Sequence, residues 1–402
     1  MRIAVMMLNR GRGSGVVARQ HVRALVEAGH KVTLLYPLMG DGVAGASNCN
    51  VPLHSDVLPV HEYLPVGAIR QRQVAEMSAG EAFAYTADYE EALWEATERA
   101  DLIVGHHANI SAIAVDRVAR RRNIPFVLFV HGTGIEPMYR GGYAPAVWTE
   151  VDAAVRRAAG VIVTTPYVRD QLVRPVVPVP ADRFLVLPCG VDLDELTPDG
   201  ADDVCGRFEL PASYVVSPGA VTWLKGTHNV VAASEHYADL APTVFVGEGE
   251  LRPQLEQRLG HRGRFVGFVS DADKAALING AAIVAAAPEK QEHFGIIYVE
   301  GLAAGAVPVA YRGGGVDTIV TPDVGILTER TPAALGEAIR KLLLDPPRRS
   351  ALAKAGRVKA AATFDRRNLG AKLVAWLETL AERRPVEESP VPAALRRGVC
   401  TR

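Results

Sequence analysis

Short runs of β-branched and aliphatic residues alternate with longer stretches of helical period along this chain, and the alternation occurs twice. In the first series, residues 3–8 predict a strand, 16–28 a helix and 31–36 a second strand. The order continues through residues 102–104, a helix over 113–121, and strands over 125–130 and 161–164. Strands fed by helices in this way predict a parallel sheet covered on both faces. A second series repeats the scheme at residues 214–218, 243–246, 264–266, 282–286 and 307–310. The pattern therefore predicts an α/β protein of two doubly wound, Rossmann-like units.

Residues 192–203 are acidic, rich in turn formers and without either period, which marks an interdomain linker. We place a first domain at 1–200 and a second at 201–365. Residues 366–382 form a C-terminal helix expected to pack back on the first domain, and residues 383–402, proline-broken and polar, form a flexible tail. Residues 40–60 and 64–85 carry neither period clearly and are expected to be surface loops shaping a cleft.

Composition adds limits. Of 402 residues, 49% are hydrophobic and 22% charged, enough for two large cores. Lys and Arg total 44 against 45 acidic residues, so no excess positive charge points to nucleic acid or an anionic membrane, and a phosphate ligand has to be held locally. Cys49, Cys189, Cys205 and Cys400 lie far apart and read as reduced thiols. The opening apolar run is short and reads as a first strand rather than a signal peptide. No stretch reaches the roughly 20 apolar residues that spanning a bilayer requires. A cytoplasmic protein without stable membrane insertion is the expectation.

Three segments carry candidate chemistry. Gly11-Arg-Gly-Ser-Gly15 follows the first strand and opens a helix, so Gly13, Ser14 and Gly15 form a candidate anion nest; a glycine turn serving only strand-to-helix packing is the alternative. The dinucleotide fingerprint is not met, because Val16 stands where its last glycine belongs, and no acid follows the second strand. The segment after residues 214–217 places Lys225 and Gly226 beside a helix N-terminus, where positive charge favours a diphosphate leaving group; a solvated turn lysine is the alternative. The most distinctive segment is Glu292-His-Phe-Gly-Ile-Ile-Tyr-Val-Glu300, followed by Gly301-Leu-Ala-Ala-Gly-Ala-Val-Pro-Val-Ala310 and then Gly313 to Gly315. Eight helical steps span roughly 12 Å, about the reach from a hexose across a diphosphate to a ribose. Glu292 is expected in the loop before the helix and Glu300 within it. Spacing alone carries little weight, since solvated glutamates are common.

The run from Pro288 to Gly315 resembles the signature of the family-4 retaining glycosyltransferases of GT-B fold. Gly29-His-Lys-Val32, Phe129-Val-His-Gly-Thr133, Val161-Ile-Val-Thr-Thr165, Leu187-Pro-Cys-Gly-Val-Asp192 and Val246-Gly-Glu-Gly249 resemble further motifs of that family in the same order. The resemblance implies a metal-independent enzyme with its site between two facing Rossmann-like domains. It implies no cofactor beyond a nucleotide-sugar co-substrate, with a UDP- or GDP-sugar favoured. It assigns Glu300 to the donor ribose, Glu292 to the sugar ring, and the Phe294 and Gly295 amides to sugar hydroxyls. His131 falls near the anomeric centre, Gly13 to Gly15 near the diphosphate, and Lys225 on the leaving phosphate.

Three positions depart from the family pattern. Ala220 stands where a phosphate-binding arginine is usual, and Arg10, Arg12 or another first-domain residue is a candidate replacement. Cys189 replaces an asparagine, and Thr318 replaces an acid, with Asp317 one place earlier. The acceptor side is assigned to His106, His107, Arg70 and Arg72, with paired surface histidines as the plainer account of the first two. A neutral chain fits a small polar acceptor in antibiotic-type, thiol or other small-molecule biosynthesis, and a homodimer is compatible with the sequence. A phosphorylase of the same fold and a catalytically silent nucleotide-sugar-binding protein are the rival readings.

Overall fold

The computed structural model describes residues 1–10, 13–38, 40, 42–63, 69–197 and 202–381. Gly11, Arg12 and the expected tail at 383–402 lie outside the described residues. The first half runs β1 (Arg2–Met6), α1 (Gly13–Glu27), β2 (Lys31–Tyr36) and β3 (Ser47–Asn50). A two-stranded parallel ribbon, β4 (Val57–Val60) with β5 (Arg70–Gln73), precedes α2 (Ala79–Ala96). Then follow β6 (Leu102–His106), α3 (Ile110–Arg122), β7 (Phe126–Val130), α4 (Pro145–Arg157), β8 (Gly160–Val163) and β9 (Phe184–Val186). They build a seven-stranded sheet in the order β3-β2-β1-β6-β7-β8-β9, each pairing parallel.

The second half opens with α5 (Asp202–Arg207), β10 (Val215–Pro218), α6 (Thr227–Ala233), β11 (Thr243–Val246), α7 (Arg252–Leu259) and β12 (Gly263–Gly267). It continues with α8 (Asp271–Asn279), β13 (Ile283–Ala286), α9 (Ile296–Ala304), β14 (Val307–Tyr311) and β15 (Ile326–Thr328). Its six strands lie in the order β12-β11-β10-β13-β14-β15, again all parallel. Every residue of β6, β7 and β14 is buried, which is why these strands read as unbroken apolar runs: helices cover both faces of each sheet. In each sheet the strand order reverses once, between β1 and β6 and between β10 and β13. Ligand crevices of open α/β sheets form at the carboxyl ends of strands beside such a reversal.

The chain ends with α10 (Pro332–Leu343), α11 (Pro346–Thr363) and α12 (Arg366–Ala381). Helix α12 returns to the first domain, where Gly370 faces α1; a Cβ there would lie 2.7 Å from the Ala24 methyl. The return is pinned at the crossover. Val191 N–H donates to Phe364 O at 2.9 Å, and Arg366 Nε donates to Asp192 at 2.6 Å. Cys189, just before this point, is buried, and burial pushes its thiol up to about 12, so it packs as an apolar group. No described helix is long and apolar enough to cross a membrane.

The expectation of loops over 40–60 and 64–85 is corrected. Residues 47–50 form β3, 57–60 and 70–73 form the ribbon, and α2 starts at residue 79. Helix α2 buries Ala82, Tyr85, Thr86, Tyr89 and Leu93, a face half made of small or polar groups that leaves little apolar period to read. Its start was nonetheless written in the chain. The Ser78 side chain caps the Glu81 N–H while the Glu81 carboxylate accepts from Ser78 N–H at 2.8 Å, a reciprocal capping box.

Candidate active site

At the reversal point of the second sheet, the loops leaving β10 and β13 meet. Gly226 adopts φ +66° against the Ala287 carbonyl, and a Cβ would overlap that oxygen, so only glycine lets the two loops touch. The β13 loop then lies on the glycine turn after β14. Gly315 N–H donates to Glu292 O at 2.7 Å, and a side chain at Gly314 or Gly315 would collide with the Glu292 or His293 carbonyl. Asp317 accepts from Gly313 N–H at 2.8 Å and Thr318 Oγ1 donates to Gly315 O at 2.7 Å, so Thr318 and the neighbouring acid both hydrogen-bond within the glycine turn. Phe294 is buried, edge-on to Phe364, and anchors the loop by its side chain. Helix α9 begins after Gly295, so Glu292 sits in the loop and Glu300 within the helix. The outcome is a cavity of about 130 Å³ lined in part by Gly219, Ala220, Lys225, Glu292 and Gly295.

A second cavity, of about 640 Å³, shares Pro218, Gly219 and Ala220 with the first and opens between the domains. Its first-domain wall includes Arg10, Leu38 and Ile69; its second-domain wall includes Glu248, Phe268 and Lys274. Arg10 thus borders the same space as Ala220. Lys274 Nζ donates to Glu300 Oε1 at 2.7 Å, while Glu300 Oε2 is buried without a hydrogen-bond partner. A carboxylate oxygen so placed is an open acceptor. Gly13, Ser14 and Gly15 form the first turn of α1, where a Cβ on Gly15 would overlap the Arg10 carbonyl oxygen. The lining of neither cavity includes those three residues, and Gly15 is required for packing.

The first domain contributes a cluster of histidines at the ends of β6 and β7. His106 and His107 are 1% and 7% exposed, so they are not the surface pair considered from sequence. His106 Nδ1 lies 3.1 Å from His131 Nε2, and the His107 and His131 rings are 4.6 Å apart. The His61 ring lies tilted beside His107 at 4.5 Å, and His21 lies 5.8 Å from His106. Burial, reinforced by the neighbouring rings, holds His131, His107 and His106 well below the ordinary imidazole value; burial brings His21 and His61 to about 4. All five are neutral at pH 7 and offer hydrogen bonds rather than charge. His107 also holds φ +76°, a strained conformation for a non-glycine residue. Arg70 and Arg72, by contrast, are partnered on the ribbon by Asp56 and Glu76, outside both cavity linings. Among the described residues, no three His, Cys, Asp or Glu side chains converge to hold a metal ion.

Lys225, Glu292 and Gly295, singled out from the sequence, line the smaller cavity, whereas Lys274, which lines the larger one, and His21 and His61 of the histidine cluster were not singled out. Nothing local marks those three, because each acquires its place from a neighbour distant in the chain.

Solved structures share this architecture. Sucrose-phosphate synthase from Thermosynechococcus elongatus superposes with a TM-score of 0.75 at 19% identity, covering 94% of this chain and 99% of that one. Anabaena HepE in complex with UDP-glucose gives 0.71 at 18% identity, covering 94% and 100%. Two parallel Rossmann-like sheets with a cleft at their reversal points are the GT-B fold. A family described as "Glycosyl transferase 4-like domain" matches residues 12–190, and "Glycosyl transferases group 1" matches residues 207–359. D-inositol 3-phosphate glycosyltransferase 1 of Catenulispora acidiphila is 31% identical over 66% of this chain and 68% of its own length. The chain belongs to the family-4 glycosyltransferases of GT-B fold. A phosphatidylinositol dimannoside mannosyltransferase of Mycobacterium tuberculosis, described as GDP-mannose-dependent, is 30% identical over 47% of this chain and 50% of its own length. Alpha-D-kanosaminyltransferase of Streptomyces kanamyceticus is 28% identical over 52% and 57%. The chain thus spans about half the length of several of its curated relatives.

Proposed function

We propose that this enzyme transfers a sugar, with retention of anomeric configuration and without a metal, from a UDP- or GDP-sugar to a small polar acceptor of cyclitol type. The observation that carries the reading is the pair of adjoining cavities meeting at Gly219–Ala220, with Lys225 and Glu292 in one and Lys274, bound to Glu300, in the other. The nucleoside occupies the larger cavity with its ribose hydroxyls donating to Glu300 Oε2. The diphosphate lies at the junction, and the sugar enters the smaller cavity beside Glu292 and Gly295. As the anomeric bond to the diphosphate breaks, positive character develops on the sugar and negative charge on phosphate. Lys225 and, from the first domain, Arg10 stabilise the leaving group. The acceptor approaches from the histidine side, where neutral His131 orients it by hydrogen bonding. An acceptor of this size and polarity is in keeping with the inositol phosphate named for one relative, and the kanosaminyl relative favours natural-product biosynthesis.

A thermal-shift screen of UDP-, GDP-, TDP- and ADP-sugars, then nucleoside diphosphate release with a cyclitol and aminocyclitol panel, tests the proposal. Lys225→Ala is expected to weaken donor binding, and His131→Ala to lower turnover with binding retained. Sugar transfer that requires free phosphate and releases no nucleoside diphosphate would establish a phosphorylase instead.

A further inference from the structure

The loop that carries Glu292 does more than border the smaller cavity, for its successive residues are docked on the other domain. Lys290 Nζ donates to Glu62 Oε1 at 3.0 Å and to Glu136 Oε2 at 2.9 Å, with only 15% of its side chain exposed. Tyr167 Oη donates to Gln291 Oε1 at 2.8 Å, and Thr165 Oγ1 donates to His293 O at 3.0 Å. The His293 ring rests against Gly132, the neighbour of His131, where φ is +98° and a Cβ would lie 2.5 Å from the imidazole Nδ1. His293 Nε2 is also 3.9 Å from the Glu136 oxygen that holds Lys290.

Electrostatics makes the lysine the strongest of these contacts. Burial by itself lowers a lysine, yet Glu62 and Glu136 together hold Lys290 above its ordinary value, so it is charged in place. Both carboxylates come from the first domain and the ammonium from the second. Opening the cleft separates one cation from two anions, and the hydration they regain offsets only part of that loss, since the two carboxylates hold the lysine above its ordinary value despite burial. The contact therefore favours the closed arrangement in which it is seen.

We propose that Lys290 is a positioning residue: clamped between Glu62 and Glu136, it holds the Glu292 loop against the His131–Gly132 turn, completing the sugar half of the site only when the domains close. The inference rests on the proposed placement of the sugar beside Glu292. Lys290 itself is not among the residues lining either cavity. It acts through the backbone of Gln291 to Glu292, and removing it should slow turnover without loosening the nucleotide.

The test uses the full chain with Lys290→Met, Lys290→Arg and Glu136→Gln, measuring kcat, KM for donor and acceptor, and nucleoside diphosphate affinity by calorimetry. Lys290→Met is expected to lower kcat by about 10- to 100-fold while nucleoside diphosphate affinity stays within about twofold, and Lys290→Arg to recover most of the loss. Glu136→Gln should give a smaller loss that is not additive with Lys290→Met. Parallel falls in turnover and nucleotide affinity without arginine rescue would assign Lys290 to general structure and overturn the proposal, as would wild-type turnover in Lys290→Met. Small-angle scattering gives an activity-independent reading: Lys290→Met should be more extended than wild type, and an unchanged profile overturns the clamp. Wild-type protein that transfers no sugar from any donor would refute the functional reading, while scattering still decides whether the clamp exists.

Discussion

Neutralising Glu300 tests the proposed nucleoside half of the site most directly. Glu300 Oε1 is engaged by Lys274 at 2.7 Å, whereas Oε2 is buried and without a partner. A buried acceptor left unpaired costs about 1–3 kcal/mol, and that cost is recovered when a ribose hydroxyl donates to it. Hydrogen bonds to a charged group contribute about 1.5–3 kcal/mol and neutral ones roughly half as much. Glu300→Gln keeps the shape and removes the charge, so it should weaken nucleoside diphosphate binding by about 1–2 kcal/mol, or about 5- to 30-fold. The ion pair with Lys274 is about one-third exposed on the lysine side, so its loss should change fold stability by about 1 kcal/mol or less. Isothermal titration with UDP and GDP, and with their 2′- and 3′-deoxy analogues, measures the effect. Wild type should discriminate against the deoxy analogue that lacks the bonded hydroxyl, and Glu300→Gln should lose most of that discrimination. Unchanged affinity with undiminished deoxy discrimination would refute a ribose role for this carboxylate.

Arg10→Ala should weaken nucleoside diphosphate binding about 5- to 10-fold by removing the cation that borders the space beside Ala220, and adding Ala220→Arg to that variant should restore it; calorimetry showing no change in either variant removes Arg10 from the phosphate site. Gly226→Ala should destabilise the fold by about 2–4 kcal/mol, because a Cβ overlaps the Ala287 carbonyl at φ +66°. An unaltered denaturation midpoint would show that the β10 and β13 loops can separate freely. The histidine cluster, in which His21 and His61 are half-buried, sets an acid limit. His21 and His61 fall from an ordinary 6.5 to about 4 in the fold, so the unfolded chain binds more protons between those values. Their stabilisation is complete above about pH 6.5 and is lost as pH falls toward 4, by up to about 3 kcal/mol each. Urea midpoints that stay flat from about pH 7.5 to about pH 4.5 would contradict this.

Much of the cavity between the β10 and β13 loops was legible because its constraints are local. Gly226, Gly295 and the Gly313–Gly315 turn are needed where one loop backbone crosses another, and such glycines stand out in a strand-to-helix connection. Helix α2 escaped the apolar period because its buried face includes Ala82 and Thr86, although Ser78 and Glu81 announced its start. Of the four residues assigned to an acceptor, the burial of His106 and His107 was not legible, nor were the ion pairs of Arg70 with Asp56 and of Arg72 with Glu76.

By itself the sequence determined the two doubly wound sheets and the loops at their reversal points, since strand length, helical period and glycine placement act over a few neighbouring residues. Tertiary structure alone decided which charges face each other. Lys290 finds Glu62 and Glu136 across 228 and 154 residues, and Lys274 finds Glu300 across 26. No local pattern encodes such pairings, because they arise from the closure of one domain on the other and from the docking of α8 against α9.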